Sequence, residues 1–422
     1  MRIREGHLLL AIILGGLVLR VSLLPFEGRP ADISDFVGWT LTIERFGTHA
    51  FYAHATAVGG RMVDYPPGYL WVLTLIGRLA AIFHVTGTSN HAALRWIVKL
   101  PAIAADLGAA LVVFALARRT WTSWQALLAA AILTFSPSTW LISAYWGQVD
   151  SVPAFCLLLA LFFAVSRRHW LAWLALAVAV LVKPQPVVIA PLLLAWQIRE
   201  QGWSARLLVS GAVCFMVAYV GSLPFAPSAA PGATISWLLN RYRDATQLYP
   251  YTSVSAFNLY TVRGSFYASD AHVIGGLSIA AWGIVLFAVL LAIILVAFRR
   301  ALYDGRPLRA YEPLFFTAVF ATLAALFVVT TRMHERYLFG ALVLAPLLVF
   351  IGRWERSAAI VMMATFTIGC VLALSLLTAE TYPRGVSMAV HLFSLLNLAA
   401  LVVLITRLTA ARSMAQVLTN GS

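Results

Sequence analysis

The sequence is short of charge. Only 11% of its 422 residues are charged, and just 16 are acidic. A soluble protein would carry roughly 25% charged residues. Instead, apolar runs of about 18 residues or more recur along the whole chain, which is the length a helix needs to cross a bilayer. The composition therefore excludes a soluble globular protein and predicts an all-α, polytopic transmembrane helix bundle.

Cysteine is nearly absent too. Cys156, Cys214 and Cys370 are the only three, they lie within apolar runs, and their spacing suits neither a disulfide nor a zinc site. The Asp-x-Asp pair typical of metal-bound nucleotide-sugar sites is also missing. The first apolar run follows Arg2 and Arg4 but has no small-residue cleavage site, so we expect it to be retained as a helix.

The net charge of +14 is spread over short arginine clusters between the apolar runs. This distribution indicates membrane topology and argues against a nucleic-acid partner. Cytoplasmic arginines give about 12 crossings, with both termini inside. The cytoplasmic clusters are Arg2 and Arg4, Arg118 and Arg119, Arg167 and Arg168, Arg199 and Arg206, Arg299 to Arg309, Arg353 and Arg356, and Arg407 and Arg412. The predicted crossings are 7–26, 97–117, 122–141, 150–166, 169–182, 186–198, 206–223, 273–298, 311–330, 336–352, 356–377 and 386–406.

One apolar segment does not fit this count. Residues 68–85, GYLWVLTLIGRLAAIFHV, are apolar enough to cross, but a crossing there would place Arg118 and Arg119 outside. We predict a re-entrant or interfacial helix; the alternative is a local failure of the positive-inside rule. The two long outer segments, 27–95 and 224–272, are expected to form the roof of an active site. The whole chain, 1–422, is predicted to be a single transmembrane domain.

This topology places most acidic residues on the outer side. They are Glu27, Asp32, Asp35, Glu44, Asp64, Asp150, Asp244, Asp270, Glu335 and Glu380. Five polar loops cap the outer ends of the apolar runs: DYPPGYL (64–70), WGQVD (146–150), KPQP (183–186), YPYTSVSAFNLY (249–260) and RMHERYLF (332–339). Ionisable groups at membrane depth are costly and mostly face a cavity or pathway. The five loops therefore predict one outward-facing cavity for a polar, anionic ligand.

Each loop also has a purely structural interpretation. The prolines of DYPPGYL suit a helix start, Trp146 suits an interfacial aromatic belt, and Lys183 suits a snorkelling side chain. Asp106 lies in the middle of an apolar run and needs a partner or a proton, so a structural ion pair explains it as well as chemistry does. The RMHERYLF loop gathers cations at a helix N-terminus, which is a ready phosphate site.

Taken in order, these motifs resemble a known family. Asp32, followed seven residues later by Trp39, and then the five loops resemble the GT-C superfamily of membrane glycosyltransferases over about residues 30–340. The nearest group is the bacterial relatives of the second GPI mannosyltransferase; the glucosyltransferases that extend dolichol-linked oligosaccharide share parts of the pattern. Each motif alone is weak, but the combination is specific.

The resemblance implies a GT-C bundle that transfers a single sugar, with mannose as the family expectation. The donor is a polyprenyl-phosphate sugar, and the acceptor is a hydroxyl of a glycan, lipid or protein. Transfer inverts the anomeric centre on the outer face of the membrane, here expected to be a bacterial inner membrane. No cofactor is implied, although the Asp32 and Asp35 pair leaves a divalent ion as an alternative.

The same resemblance assigns residues to roles. An inverting transfer needs one base and one cationic site for the departing phosphate. Asp32 is the expected base, and Asp35, three residues later on the same helical face, is the second catalytic candidate; it would orient the acceptor or raise the pKa of Asp32. The donor-phosphate candidates are Lys183, Arg332, His334 and Arg336, with Arg241 and Arg243 as second choices. The sugar and acceptor candidates are Asp64, Tyr65, Trp146, Gln148, Asp150 and Glu335.

Two other classes remain open on the sequence alone. A transporter of lipid-linked sugar would show internal repeats and mid-membrane charges in both halves, and no repeat is visible. An oligosaccharide polymerase or ligase would use a diphosphate-linked donor and an arginine-rich outer loop. Arg241, Arg243 and Arg263 in the 224–272 segment are consistent with that alternative.

Overall fold

The computed structural model describes residues 3–58, 60–61, 63–82, 85, 91–263, 266–376 and 384–419. Arg2, Glu380 and residues 86–90 of the first outer segment, all used in the topology prediction, lie outside the described residues. The helices are α1 Ile3–Ser22, α2 Pro30–His54, α3 Pro67–Ile82, α4 His91–Ile97, α5 Leu100–Thr120, α6 Ser123–Phe135, α7 Pro137–Trp140, α8 Ser151–Val165, α9 His169–Val182, α10 Ala190–Gln201, α11 Arg206–Ser222, α12 Pro231–Gln247, α13 Ile279–Leu302, α14 Glu312–Val329, α15 Phe339–Leu342, α16 Ala345–Leu348, α17 Arg353–Leu376 and α18 Arg384–Thr419.

Short pieces of other structure complete the described chain. A π-helix, Leu141–Trp146, follows α7, and 3₁₀ turns lie at Gln185–Ile189, Leu259–Arg263, Leu308–Tyr311 and Glu335–Leu338. The strands β1 Val273–Ile274 and β2 Leu277–Ser278 form a two-residue antiparallel hairpin. The protein is therefore all-α in its architecture, as the sequence predicts.

Six helices of the described part are long and apolar enough to cross a membrane, or up to seven if the bent pair formed by α6 and residues 137–146 counts as one span. The axes of that pair meet at 42°. Four shorter apolar helices, α3, α8, α9 and α11, add to these. Every predicted crossing overlaps a helix. The helical membrane bundle is confirmed, whereas the count of about 12 crossings stays a prediction.

Helix α14 lies at the centre of the bundle. In its apolar window 83% of the residues are buried, against 11% in α13, whose side chains face outward. Phe315 of α14 stacks on Trp196 of α10, with ring centroids 4.7 Å apart. Phe298 stacks on the ring of Phe315 as well. A helix that is apolar all round belongs in a protein core or in lipid. Here α14 lies in the protein core, and α13 faces the lipid.

Helices α2 and α3, both within residues 27–95, pack against each other. Phe36, Trp39, Tyr65 and Tyr69 form an aromatic cluster between them, with edge-to-face ring pairs that include Phe36 on Tyr69 at 5.2 Å. Helix α3 has 16 residues, fewer than the roughly 20 needed to span a bilayer. Its length suits the predicted re-entrant or interfacial helix, and that placement stays a prediction.

Asp106 has a structural partner. Arg20, near the end of α1, donates from Nε to Asp106 Oδ2 at 3.0 Å, and both side chains are buried. Ser143 of the π-helix donates to the same oxygen at 2.5 Å. Of the two explanations that the sequence left open for Asp106, the structure supports the ion pair.

Candidate active site

The carboxylates Asp32 and Asp35 lie in the first turns of α2. The helix begins at Pro30, and proline suits this position because its missing N–H is one that the helix leaves unpaired anyway. The i, i+3 spacing of Asp32 and Asp35 puts both on one face. Both bind one cation: Arg61 Nη2 lies 3.1 Å from Asp32 Oδ1 and 2.6 Å from Asp35 Oδ2.

The second oxygen of Asp32 accepts two further hydrogen bonds. Trp146 Nε1 donates to Oδ2 at 2.9 Å and Gln148 Nε2 at 2.7 Å. Gly147, between these donors, has a φ of 83°, in the left-handed region that glycine tolerates best. The WGQVD loop thus supplies two hydrogen-bond donors to one oxygen of Asp32.

Asp32 is held in its ionised form. Burial acts to raise its pKa, but Arg336, the hydrogen bond from Trp146, Arg29 and Arg61 together lower the pKa below the ordinary value of 3.8. Asp32 therefore carries a charge at neutral pH and is ready to accept a proton.

Asp35, unlike Asp32, accepts all of its side-chain hydrogen bonds within the described residues from Arg61. Arg61 donates to it from Nε at 2.9 Å, from Nη2 at 2.6 Å and from its backbone N–H at 2.9 Å. The guanidinium binds the carboxylate side-on, which fixes its plane. Asp35 therefore anchors Arg61 beside Asp32, a role that the sequence did not suggest.

A second polar group, made of charged side chains, lies on the WGQVD, KPQP and RMHERYLF loops. Asp150 Oδ1 accepts from Lys183 Nζ at 2.7 Å, and Asp150 Oδ2 lies 3.8 Å from Arg336 Nε. Arg336 also donates to Glu335 Oε1 at 3.1 Å. Lys183 lies over the rings of Tyr65 and Tyr337, at 5.4 and 5.3 Å from their centroids.

Several buried atoms of this group lack a hydrogen bond within the described residues. They are Arg336 Nε, Asp150 Oδ2 and His334 Nε2. Buried polar atoms are nearly always paired, and exceptions call for an explanation such as a site for a polar ligand. Their clustering between Arg336 and Asp150 is the feature of this site that most directly points to recognition of a polar group.

His334 does not supply the predicted positive charge. Its imidazole is buried, and burial, reinforced by Arg336, Lys183 and Arg29, holds its pKa well below the usual value of 6.5. It is therefore neutral at pH 7 and accepts or donates a hydrogen bond. Its Nδ1 lies 3.3 Å from Arg336 Nη1.

Arg332 lies apart from the predicted phosphate site. Its Nε donates to Asp270 Oδ2 at 2.6 Å and its Nη1 to the Thr246 carbonyl at 2.7 Å. Its backbone N–H binds the carbonyl of Tyr251 at 2.9 Å. Arg332 thus joins the RMHERYLF and YPYTSVSAFNLY loops, and the structure does not bring it together with Lys183 and Arg336.

Asp32 and Asp35 of the first polar group and Arg336 of the second line one cavity of about 180 Å³. It is lined by Asp32, Asp35, Phe36, Trp39, Arg61, Asp64, Tyr65, Gln148, Leu248, Tyr249 and Arg336. Residues of both 27–95 and 224–272 contribute to this lining, and their role as the roof of an active site stays a prediction. Lys183 and Asp150 line a smaller, mainly apolar pocket of about 30 Å³ with Leu157, Leu323 and Leu326.

Asp64 and Asp32 differ in their electrostatic state within the same cavity. Burial raises the pKa of Asp64, although Arg336 and Lys183 oppose the shift. A pair of carboxylates whose pKa values are displaced in opposite directions is typical of a site with separate acid and base roles. Asp64 lines the cavity with Asp32, and its sugar-binding role stays a prediction.

Sequence reasoning did not single out two polar lining residues. Arg61 is one; it lies three residues before Asp64 but is one of five arginines in the 27–95 segment, so nothing distinguished it. Tyr249 is the other; its ring meets His334 edge-on at 4.8 Å. Within the described residues, no three His, Cys, Asp or Glu side chains are grouped to hold a metal. The expectation that no metal is required stays a prediction.

The bundle spans a membrane, and a buried carboxylate and a cation line one polar cavity in it. This arrangement is typical of a membrane enzyme. The model of glycosyltransferase family 87 matches residues 63–333, more than half of the 422-residue chain. The chain therefore belongs to glycosyltransferase family 87. Asp64, Trp146 and Lys183 lie within the match, whereas Asp32 lies 31 residues before it and Arg336 three residues after it. The resemblance to membrane glycosyltransferases is confirmed, whereas the closer relation to the GPI mannosyltransferase group stays a prediction.

Solved structures show distant similarity. ArnT from Cupriavidus metallidurans bound to undecaprenyl phosphate is 17% identical at a TM-score of 0.46, with 96% of this chain and 77% of that chain covered. The archaeal oligosaccharyltransferase AglB from Archaeoglobus fulgidus, in complex with an inhibitory peptide and a dolichol-phosphate, is 15% identical at a TM-score of 0.48, with 97% and 56% covered. Similarity this distant carries no argument about substrate or mechanism. No curated protein matches the chain.

Proposed function

We propose that this protein is an inverting glycosyltransferase that moves a single sugar, with mannose as the first choice, from a polyprenyl-phosphate donor to an acceptor hydroxyl. The observation that carries the proposal is the shared cavity: Asp32 faces it with its charge held by three donors, and Arg336 lines it too. Base and phosphate site are the two parts that such a transfer requires.

The reaction follows from this arrangement. Asp32 accepts the proton of the acceptor hydroxyl while the hydroxyl oxygen attacks the anomeric carbon. The bond between that carbon and the phosphate oxygen breaks, and the electron pair leaves with the phosphate. Arg336 and Lys183 stabilise the charge that develops on the phosphate. Asp32 then releases its proton to water, which restores the carboxylate.

Asp150 has a positioning role in this scheme. It binds Lys183 at 2.7 Å and faces Arg336 at 3.8 Å, so it holds two cations close together before the donor binds. The gap between Arg336 Nε and Asp150 Oδ2 exceeds hydrogen-bond distance. A phosphate oxygen that accepts from Arg336 Nε would satisfy one of the unpaired buried atoms.

The membrane setting fits a lipid-linked donor. The apolar pocket beside Lys183 and Asp150 is lined by leucines of α8 and α14, so apolar surface adjoins the polar cavity. A polyprenyl-phosphate sugar has this same division, with an apolar chain next to a charged phosphate. We place the cavity on the outer face of a bacterial inner membrane, because the arginine clusters mark the opposite side as cytoplasmic.

The test is transfer by the purified protein in detergent, with polyprenyl monophosphate, polyprenyl diphosphate and nucleotide sugars offered separately. We expect turnover with the monophosphate and a fall of at least about 10²-fold in kcat for Asp32→Asn. Asp244→Asn changes an exposed acid of the second outer segment and is the matched control. Turnover only with the diphosphate, or full activity of Asp32→Asn, would contradict the proposal.

A further inference from the structure

Lys99 is one of only two lysines in the chain, and it does not line the cavity. It immediately precedes α5 and is 1% exposed. No carboxylate lies within ion-pair distance of its amine among the described residues. A buried ammonium without a counter-ion is costly unless hydrogen bonds compensate, so its hydrogen bonds identify its task.

The amine donates to carbonyl oxygens of two separate segments. From the link between α1 and α2 it binds Leu24 O at 3.2 Å and Phe26 O. From the end of the π-helix it binds Ala144 O at 2.9 Å and Tyr145 O at 3.4 Å. An ammonium has three N–H groups, so one of them is shared between two of the four acceptors.

Both segments lead directly to residues of the hydrogen-bond network around Asp32. The α1–α2 link runs into the first turn of α2, where Asp32 lies. The π-helix runs into Trp146 and Gln148, which donate to Asp32 Oδ2 at 2.9 and 2.7 Å. Lys99 therefore connects the segment that leads to the proposed base with the segment that carries two hydrogen-bond donors to that base.

The segments pack without spare room. A Cβ on Gly28 would lie 2.5 Å from Trp146 Cα, and a Cβ on Gly147 would lie 2.3 Å from Ile33 Cδ1. Both distances are far below van der Waals contact. At Gly28 the atom in the way is backbone, so only glycine permits this approach; at Gly147 it is the end of the Ile33 side chain, which would have to move. The same Cβ on Gly147 would lie 3.1 Å from Lys99 Cγ. The lysine stem thus fills the space beside the contact that its amine fastens.

We propose that Lys99 is a positioning residue that clamps the α1–α2 link to the end of the π-helix and so fixes Asp32 against Trp146 and Gln148. Its catalytic consequence rests on the proposed function, but the clamp itself does not. A displacement of about 1 Å in a reacting group costs on the order of 10²-fold in rate. Loss of the clamp should therefore lower kcat while leaving the donor-phosphate contacts, and hence KM, nearly unchanged.

The test uses the full-length protein in detergent. Lys99→Met removes the amine and keeps much of the stem; Lys99→Gln keeps two donors and carries the test if the first variant does not fold. Arg78→Met is the control, because Arg78 is an exposed cation of α3 that lies outside both segments. Hydrogen exchange is measured by mass spectrometry over 23–29 and 141–148, together with kcat and KM.

We expect Lys99→Met to speed exchange in both segments and to lower kcat about 10- to 100-fold with KM within about twofold. Lys99→Gln should fall between it and the wild type, and Arg78→Met should match the wild type. Unchanged exchange in both segments overturns the clamp, whatever the activity. Faster exchange with an unchanged kcat, or with a higher KM alone, overturns the positioning role. Faster exchange in a protein that uses none of the donors leaves the clamp standing and removes the proposed function.

Discussion

The buried pair of Arg20 and Asp106 gives the sharpest stability prediction. Arg20 is 0% and Asp106 3% exposed, and Nε lies 3.0 Å from Oδ2. Asp106→Leu leaves the guanidinium with only the Gly16 and Thr134 carbonyls and the Thr139 hydroxyl, at 3.2, 3.0 and 3.4 Å. Removing one partner of a buried ion pair costs about 3–5 kcal/mol, because the other charge stays buried without compensation.

The matching double variant separates this cost from other effects. Arg20→Met with Asp106→Leu removes both charges and replaces them with apolar side chains, a change that is often close to neutral. We expect each single variant to lower the apparent unfolding temperature in detergent by several degrees, and the double variant to recover most of that loss. The cycle therefore predicts a coupling energy of at least about 2 kcal/mol.

Two outcomes would refute this reasoning. A double variant whose loss equals the sum of the two single losses would show that the charges do not act as a pair. A double variant that is stable yet without turnover, at the level of Asp106→Leu, would return Asp106 to chemistry. Turnover that recovers together with stability supports the structural role.

Three further predictions concern the cavity. Asp35→Asn should lower kcat less than Asp32→Asn, because Asp35 acts through Arg61; equal losses in parallel turnover assays would contradict this. His334→Gln should keep most of the kcat/KM of the wild type at pH 7, because a neutral imidazole and an amide offer similar hydrogen bonds, and a loss of 10²-fold or more would show that the charge of His334 is needed. The pH profile of kcat/KM should show no loss of activity from Asp32 between pH 5 and 8, because its pKa lies below 3.8 and only the carboxylate accepts the proton; an Asp32-dependent acid limb near pH 6 would contradict that assignment.

Much of the architecture could be predicted from the sequence. Long apolar runs have one stable solution in lipid, a helix that satisfies its own backbone. Eleven of the 12 predicted crossings accordingly overlap a helix of at least 12 residues, whereas 336–352 is divided into two four-residue helices. The DYPPGYL and WGQVD loops could be placed at the cavity because their carboxylate and amide groups have no reason to lie at membrane depth otherwise. Gln148 and Asp32, 116 residues apart, meet at 2.7 Å.

The pairing of charges could not be read in the same way. Arg332 and Arg336 look alike in the sequence, yet Arg332 binds Asp270, 62 residues away, and Arg336 lines the cavity. His334, between them, counts as a cation until its burial among other cations is known. Such choices depend on tertiary packing that brings distant loops together, and no local pattern encodes them.

The most direct test of the central claim is a cryo-electron microscopy structure of the protein with a polyprenyl-phosphate sugar bound. The account predicts density for the phosphate within hydrogen-bond distance of Arg336 and Lys183, with the anomeric carbon turned toward Asp32. A phosphate bound at Arg332, or a sugar whose anomeric carbon faces away from Asp32, would contradict the account.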